Sequence, residues 1–379
     1  MTAGFKKVKA NYQKALLKTA GWVDNFIVSI FNRMDNGIFK TLRVKEVISE
    51  TEDFKTFVFE DGHNIKYESG QFLTLVHHTD TGEIRRSYSI TSSPVLNEPL
   101  AIGVKRIING SLSRILNDTV VAGDIIYTTG ASGFFRLPDN IRVFNKMIFF
   151  AAGSGITPVI SLIKTLLYTY PHINVVLVYS NHSERSAVYY DKLLLLQNKF
   201  PSRFIIHFLF SNTADLLRAR LNRDLFFELL YSEQADVDST LFYTCGPPSY
   251  MRMIIYLLEE FGVPDDHVRK EDFVPILETA RKNIPPDTGS YFATIHFNNN
   301  TYKFKVDYPD SILRAAKKKH IILPYSCENG RCGNCAAYCL HGQVWLSNNE
   351  VLTAQDMEKG LTLTCVGHPM NGDVELEIK

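Results

Sequence analysis

Met147-Ile148-Phe149-Phe150-Ala151-Ala152-Gly153-Ser154-Gly155-Ile156-Thr157-Pro158 is the stretch on which the fold turns. The first six residues are apolar without interruption, which predicts a strand buried on both faces rather than one with a wet side. The glycines then open a tight turn into a second apolar stretch, Val159 to Tyr168, that reads as a helix. Strand, glycine turn and helix in that order begin a parallel sheet covered on both faces. At such a turn, glycines let backbone N–H groups approach a phosphate, and the helix N-terminus favours negative charge. Pro158 stands where a third glycine would complete the usual dinucleotide fingerprint, so on this motif alone a nucleotide site and a plain packing turn are both open.

Downstream the rhythm repeats. Val175 to Tyr179 is a second buried strand, Tyr190 to Asn198 a helix and Phe204 to Leu209 a third strand. Leu241 to Thr244 is a fourth strand, ending at Cys245-Gly246-Pro247-Pro248 before another helix. Together these define an α/β nucleotide domain over 141–278. Upstream the pattern is one of short, partly alternating segments, among them Phe72 to Val76, Tyr88 to Ile90 and Leu100 to Val104. Asp61-Gly62, Ser69-Gly70, Thr81-Gly82 and Ser93-Pro94 punctuate them, which predicts an antiparallel barrel over 38–140. Residues 279–290 turn polar around Pro285-Pro286 and read as a linker. After it, two short strands flank Asn298-Asn299-Asn300 as a hairpin, and Asp310 to Lys319 reads as a helix within a last domain over 291–379.

That last domain carries the most specific signature. Cys327, Cys332 and Cys335 stand at C-x4-C-x2-C, and Cys365 follows after 29 residues. This spacing matches that by which a plant-type ferredoxin holds a 2Fe-2S cluster, three thiolates on one loop and the fourth from elsewhere. Gly330 and Gly333 suit a loop that must turn its backbone toward the sulfurs. A structural zinc site is the alternative, since Cys332 and Cys335 form a zinc half-site, but no second clip is present. The two remaining cysteines, Cys245 and Cys339, do not suggest a disulfide.

The chain of 379 residues, 45% hydrophobic and 21% charged, has room for two to three globular domains with sizeable cores. A formal net charge of +1 offers no global case for nucleic acid or acidic substrates. No membrane-spanning window or cleavable leader is expected, which points to the cytoplasm. Residues 1–37 stand apart as a basic amphipathic helix. Five lysines, Lys6 to Lys18, lie off an apolar stripe through Tyr12, Leu16, Val23, Ile27 and Ile30. Packing on the protein itself, docking a partner and peripheral contact with a membrane surface are all open for it.

Arg86-Ser87-Tyr88-Ser89 in a barrel, Gly110-Ser111-Leu112-Ser113 after the next strand, Gly153 to Pro158, and Cys245-Gly246-Pro247, in that order, resemble the ferredoxin-NADP reductase superfamily. With the cysteine loop at the C-terminus, residues 38–379 are similar to oxygenase reductase components of the phenylacetyl-CoA epoxidase type. The resemblance implies a flavin-binding antiparallel β-barrel, a parallel-sheet α/β nucleotide domain and a β-grasp 2Fe-2S domain. It implies FAD held by Arg86, Tyr88 and Ser89, by Val104 and Lys105, and by Gly110, Ser111, Leu112 and Ser113. Arg86 would meet a flavin phosphate, Tyr88 the isoalloxazine ring and Ser89 its reactive nitrogen. NADPH or NADH would occupy Gly153, Ser154, Gly155, Thr157 and Pro158, with Gly246 and Pro247 nearby. Cys245 would lie beside the nicotinamide, either as a redox centre or as a small polarisable wall. Ser183 and Arg185 would take a 2′-phosphate, although His182 stands where related sequences often carry arginine, which leaves the choice of dinucleotide open. Phe273 in Glu271-Asp272-Phe273 would either approach the flavin or pack in the core. The implied function is electron transfer from NAD(P)H through FAD and the Cys327-Cys332-Cys335-Cys365 cluster to a terminal oxygenase, hydroxylase, desaturase or other acceptor. Tyr88, Ser89 and Cys245 are the expected catalytic residues. The competing class is an iron-sulfur or zinc protein that binds or senses without turnover.

Overall fold

The computed structural model describes residues 39–61, 64–79, 82–273 and 284–378. The amphipathic helix expected over 1–37 lies outside them, and the linker expected over 279–290 lies partly outside. Among the described residues, no helix is long and apolar enough to cross a membrane.

The first sheet has six strands: β1 (Lys40–Thr51), β2 (Phe54–Phe59), β3 (Phe72–Thr79), β4 (Gly82–Ser89), β5 (Ala101–Lys105) and β6 (Ile125–Ser132). Their order is β4-β3-β6-β1-β2-β5, and the pairings β1–β2, β2–β5, β3–β4 and β3–β6 are antiparallel. Ile90, just past β4, bridges Ile102 of β5, so the two edges meet and the sheet closes into a barrel. Inside sit Leu42, Val44, Phe57, Phe59, Leu73, Leu75 and Ile102, the inward set of the strands' alternation. Helix α1 (Ser111–Thr119) adds Leu112 and Leu116 to that core.

The second sheet is parallel throughout, in the order β11-β10-β7-β8-β9. Its strands are β7 (Lys146–Ala152), β8 (Asn174–Asn181), β9 (Phe204–Phe210), β10 (Thr240–Cys245) and β11 (Val268–Glu271). Central β7 has Met147 to Ala151 at 1% exposure or less, as the uninterrupted apolar run requires. Its odd positions, Met147, Phe149 and Ala151, pack under α2 (Ile156–Thr169), and its even positions, Ile148 and Phe150, pack with α4 (Arg223–Ser232) and α5 (Pro248–Glu260). Helix α3 (Tyr190–Lys199) covers the first of these faces through Leu193.

The third sheet has the order β13-β12-β16-β14-β15. Its strands are β12 (Tyr291–Phe297), β13 (Asn300–Val306), β14 (Ala336–Leu346), β15 (Leu361–Leu363) and β16 (Gly367–Glu377). Strands β12 and β16 are parallel and the other pairs antiparallel, the mixed sheet of a β-grasp domain. Asn298 and Asn299, at φ of 50° and 61°, make the expected hairpin turn. Helix α6 (Ile312–Lys318) is capped by the Ser311 hydroxyl, which accepts from Arg314 N at 3.3 Å. It buries Ile312, Leu313, Ala315 and Ala316 against the sheet, and the chain then runs from its C-terminus into the cysteine loop. Helix α7 (Ala354–Glu358) follows β14.

Candidate functional site

Strand order reverses between β7 and β10, so the loops at their C-terminal ends flank a crevice. The glycine turn leaves β7 there, and Cys245-Gly246-Pro247 leaves β10, with Cys245 in register with Ala151. The two loops touch: a Cβ on Gly155 would stand 2.0 Å from the Cys245 carbonyl oxygen and 2.9 Å from Gly246 N. Gly153 adopts φ of +53° with open space where a side chain would be, so its need for glycine is conformational. Thr157 Oγ1 donates to the Ser154 carbonyl at 2.9 Å and secures the turn. Pro158 lies in the first turn of α2, where proline's missing N–H costs no helical bond.

The crevice is a cleft of about 680 Å³ that also reaches the barrel. Gly153, Ser154 and Pro247 line it, together with Asn181, His182 and Arg220, and the barrel contributes Lys105. The Asn181 side chain lies in this wall beside the buried Tyr179 hydroxyl. Ser183 lies one residue from this wall with its hydroxyl taken up in capping the turn Glu184–Ser186, and Arg185 is exposed on that turn. His182, noted in the sequence for its place beside Ser183, is a cleft residue, and so is Arg220, which sequence reasoning did not single out. They come from loops after β8 and β9 that only the sheet order brings together.

Behind the cleft, Cys245 is fully buried, and burial, then the negative charges of Glu271 and Asp272, push its thiol well above the usual range. The thiol therefore stays protonated, which favours the small polarisable wall over a reactive thiolate. Glu271 pairs with Cys245 across β10 and β11. Part of Glu271 reaches solvent, yet burial of the carboxyl, then the charge of Asp272, push it up to about 8. An unfolded chain ionises this carboxyl near its ordinary value, whereas the fold keeps it protonated up to about 8. Stability is therefore lost as pH rises through that window. Glu271→Gln removes the titration, so its melting temperature relative to the native protein should climb by at least ~2 °C between pH 5 and pH 8.5. A gap that stays flat across that range would mean the carboxyl is ionised in the fold. Phe273, 41% exposed, is not a core residue.

On the barrel, β4 divides its residues between two faces. Ile84 and Tyr88 pack on the barrel core, while Glu83, Arg85 and Ser87 turn toward the C-terminal domain. Arg86 is exposed, with Nη1 donating to the Arg85 carbonyl at 2.7 Å. Burial holds the Tyr88 hydroxyl above its ordinary range, opposed by the charge of Arg86, and Ser89 is buried at the strand's end. The α1 N-terminus has no side-chain cap and no acidic residue in its first turn, so the N–H groups of Ser111 and Leu112 have no capping side chain. A Cβ on Gly110 would stand 2.2 Å from Ser113 Oγ, so glycine keeps this cradle open. An uncapped helix N-terminus and an exposed arginine are each groups of the kind that hold a flavin pyrophosphate. Val104 is placed differently from Lys105: its side chain lies in the barrel core, and its carbonyl accepts from Asn117 Nδ2 at 3.4 Å.

The cysteine loop closes the set. All six cysteines are unpaired by disulfides. Among the described residues, no three His, Cys, Asp or Glu side chains converge as ligands of one metal ion. The thiols form two hydrogen-bonded pairs instead, Cys327 with Cys332 and Cys335 with Cys365, with Cys365 also feeling the charge of Cys327. Two adjacent pairs suit a binuclear cluster, with two sulfurs for each iron, better than one tetrahedral zinc. The Cys332 thiol, and then the N–H groups of Arg331, Asn329 and Cys332, hold the Cys327 thiol below its ordinary range. Gly330 and Gly333, both at φ of +71°, make the turns expected of them. Arg331 Nη2 donates to Glu350 Oε1 at 2.7 Å and Asn348 Nδ2 to the Asn329 carbonyl at 2.8 Å, bracing the loop from behind.

Comparison with known proteins agrees with this geometry. Residues 40–137 match the oxidoreductase FAD-binding domain family, 149–255 the oxidoreductase NAD-binding domain family, and 295–370 the 2Fe-2S iron-sulfur cluster binding domain family. The 3-ketosteroid-9-alpha-monooxygenase ferredoxin reductase component of Rhodococcus rhodochrous is 32% identical over 353 residues, covering 89% of this chain and 96% of the relative. One of the subunits of the 1,2-phenylacetyl-CoA epoxidase of Escherichia coli is 29% identical over 351 residues, covering 89% and 97%. Among solved structures, phthalate dioxygenase reductase shares the fold at a TM-score of 0.57 and 22% identity, covering 91% of this chain and 99% of that one. With three domain families in this order and a relative matched along nearly its whole length, the chain belongs to the FAD-, NAD- and 2Fe-2S-binding ferredoxin reductase components of oxygenase systems.

Proposed function

We propose that this reductase takes a hydride from NAD(P)H in the cleft between β7 and β10 and hands the electrons singly to a separate terminal oxygenase, hydroxylase, desaturase or other acceptor. When bound, FAD accepts two electrons together and releases them one at a time, which matches a 2Fe-2S cluster that takes one. The chain's own work is to hold and orient. Arg86 and the N-terminus of α1 bind the flavin phosphates, Tyr88 presents its ring to the isoalloxazine and Ser89 a hydroxyl to its reactive nitrogen. Gly153 to Pro158 receive the dinucleotide phosphates, with Ser183 and Arg185 on the adenosine side. Cys245, Gly246 and Pro247 wall the nicotinamide, Phe273 approaches the flavin, and Cys327, Cys332, Cys335 and Cys365 ligate the cluster. Three units, over 38–140, 141–278 and 291–379, divide these tasks. A cytoplasmic location goes with thiolate ligands that need a reducing compartment. Residues 1–37 are the segment with which the protein would meet a membrane surface or its partner.

The observation that carries this reading is the hydrogen bond of 2.9 Å between Ser87 Oγ and Ser326 Oγ, which sets the residue before Tyr88 against the residue before Cys327. Absorption of the purified protein tests it. Flavin bands and sulfur-to-iron bands should both bleach anaerobically with NADPH or NADH, and each NAD(P)H should reduce two one-electron acceptors with release of one proton. A colourless protein containing zinc would instead establish the binding or sensing alternative.

A further inference from the structure

Tyr325 and Ser326, the two residues ahead of Cys327, reach out of their own domain to grip the barrel. The Tyr325 hydroxyl donates to Glu83 Oε1 at 3.0 Å, and its carbonyl accepts from Arg85 Nη1 at 3.4 Å. The Arg85 guanidinium lies 3.8 Å from the centre of the Tyr325 ring, and Lys317 Nζ of α6 lies 3.5 Å from the same centre. Two cations that close to one centroid cannot share a face, so the ring is held between the barrel's arginine and the helix's lysine. Arg85 is 4% exposed and ion-paired with Glu83 at 2.7 Å, which makes this a built, desolvated contact rather than a loose surface one. Lys317 also pairs with Glu328 at 2.7 Å, just beyond Cys327. At the far end of the loop the Phe134 ring lies so close that a Cβ on Gly333 would stand 2.5 Å from it. The cysteine loop is thus seized at both ends by the polypeptide that carries Arg86 to Ser89.

We infer that Tyr325 is a positioning residue, whose clasp with Arg85 and Glu83 fixes the Cys327–Cys332 side of the loop at one distance and orientation from β4. The inference rests on the proposed electron path and adds what holds its middle step in place. The balance of that path is unchanged: one hydride enters, two electrons leave singly and one proton is released. An electron transfer between fixed partners falls off with their separation, so a loop free to move away from β4 transfers more slowly than one held in place.

Tyr325→Ala removes the clasp from the loop side. Arg85→Met removes it from the barrel side and leaves the β-grasp core untouched. Both are compared with the native protein at equal flavin and cluster content. Anaerobic stopped-flow should show flavin bleaching by NAD(P)H at the native rate and cluster reduction slowed at least ~10-fold. Hydrogen exchange in 83–88 and 325–333 should rise, while the electron paramagnetic resonance signal of the dithionite-reduced cluster stays native. Tyr325→Phe, which keeps the ring between its cations, should transfer within ~3-fold of native. Cluster reduction at native speed in both clasp variants, slowing without increased exchange in those segments, or an altered cluster signal in Arg85→Met would each overturn the inference. A native protein whose cluster is not reduced by NAD(P)H at all would instead overturn the electron path itself.

Discussion

Cys332→Ala should bleach its flavin with NAD(P)H at the native rate while losing its sulfur-to-iron absorption, and its delivery of electrons to a cluster-dependent acceptor should fall at least ~100-fold. Substitutions that only disturb partners of a metal's ligands already cost about 10- to 100-fold, so loss of a ligand belongs at or beyond the top of that range. Cys332 is the better position to change for a structural reason. Cys335 and Cys365 belong to the buried core of the β-grasp domain, and truncating either would remove packing as well as a ligand. Cys332 is only half-buried and pairs with exposed Cys327, so its loss leaves the core standing. Iron and acid-labile sulfide content, flavin bleaching and acceptor reduction are the measurements. Acceptor reduction at the native rate would show that electrons leave from the flavin and would remove the loop from the path.

Much of this was legible because the decisive signals are local. An apolar run followed by glycines reads as a buried strand and a turn wherever it occurs, and Met147 to Ala151 are buried as that demands. The cysteine spacing and the Asn298-Asn299 turn are equally local. Helix α1 was harder. Ser111, Asn117, Asp118 and Thr119 are weak helix formers, and the helix owes its place to Leu112 and Leu116 entering the barrel core. The tandem Arg85-Arg86 was illegible in another way. Nothing in two adjacent arginines says that one is buried against Tyr325 and the other exposed, because alternation along β4 becomes informative only when the domain on its far face is known. His182 and Arg220 lie 38 positions apart in sequence and share a wall only because β8 and β9 are neighbours. Topology made that part of the site, and local pattern does not encode topology.

Gly155→Ala sets two physical effects against each other at the mouth of the cleft. Gly155 has φ of −60° and ψ of −12°, an ordinary right-handed conformation at the start of α2, so on backbone grounds alone alanine should stabilise by up to ~1 kcal/mol. The new Cβ, however, would stand 2.0 Å from the Cys245 carbonyl oxygen and 2.5 Å from its carbon. Those atoms cannot yield easily, because β10 is held between β7 and β11 by parallel ladders up to Cys245 itself. Overpacking of this kind costs about 1–3 kcal/mol, so the steric effect should win and the variant should melt lower. The larger effect is on rate. Relief of the clash must part the glycine turn from the loop of Gly246 and Pro247, the two walls between which the dinucleotide is proposed to lie. A shift of about 1 Å there should slow NAD(P)H-driven flavin bleaching by up to ~100-fold while leaving reduction by dithionite unchanged. Gly153→Ala is the control with the opposite character: no atom lies within 4 Å of its Cβ, but its φ of +53° makes alanine strained by about 1–2 kcal/mol. Its cost is therefore one of conformation, where that of Gly155→Ala is one of contact. If Gly155→Ala bleached at the native rate and melted higher than the native protein, the close approach of the two loops could not be what shapes the cleft.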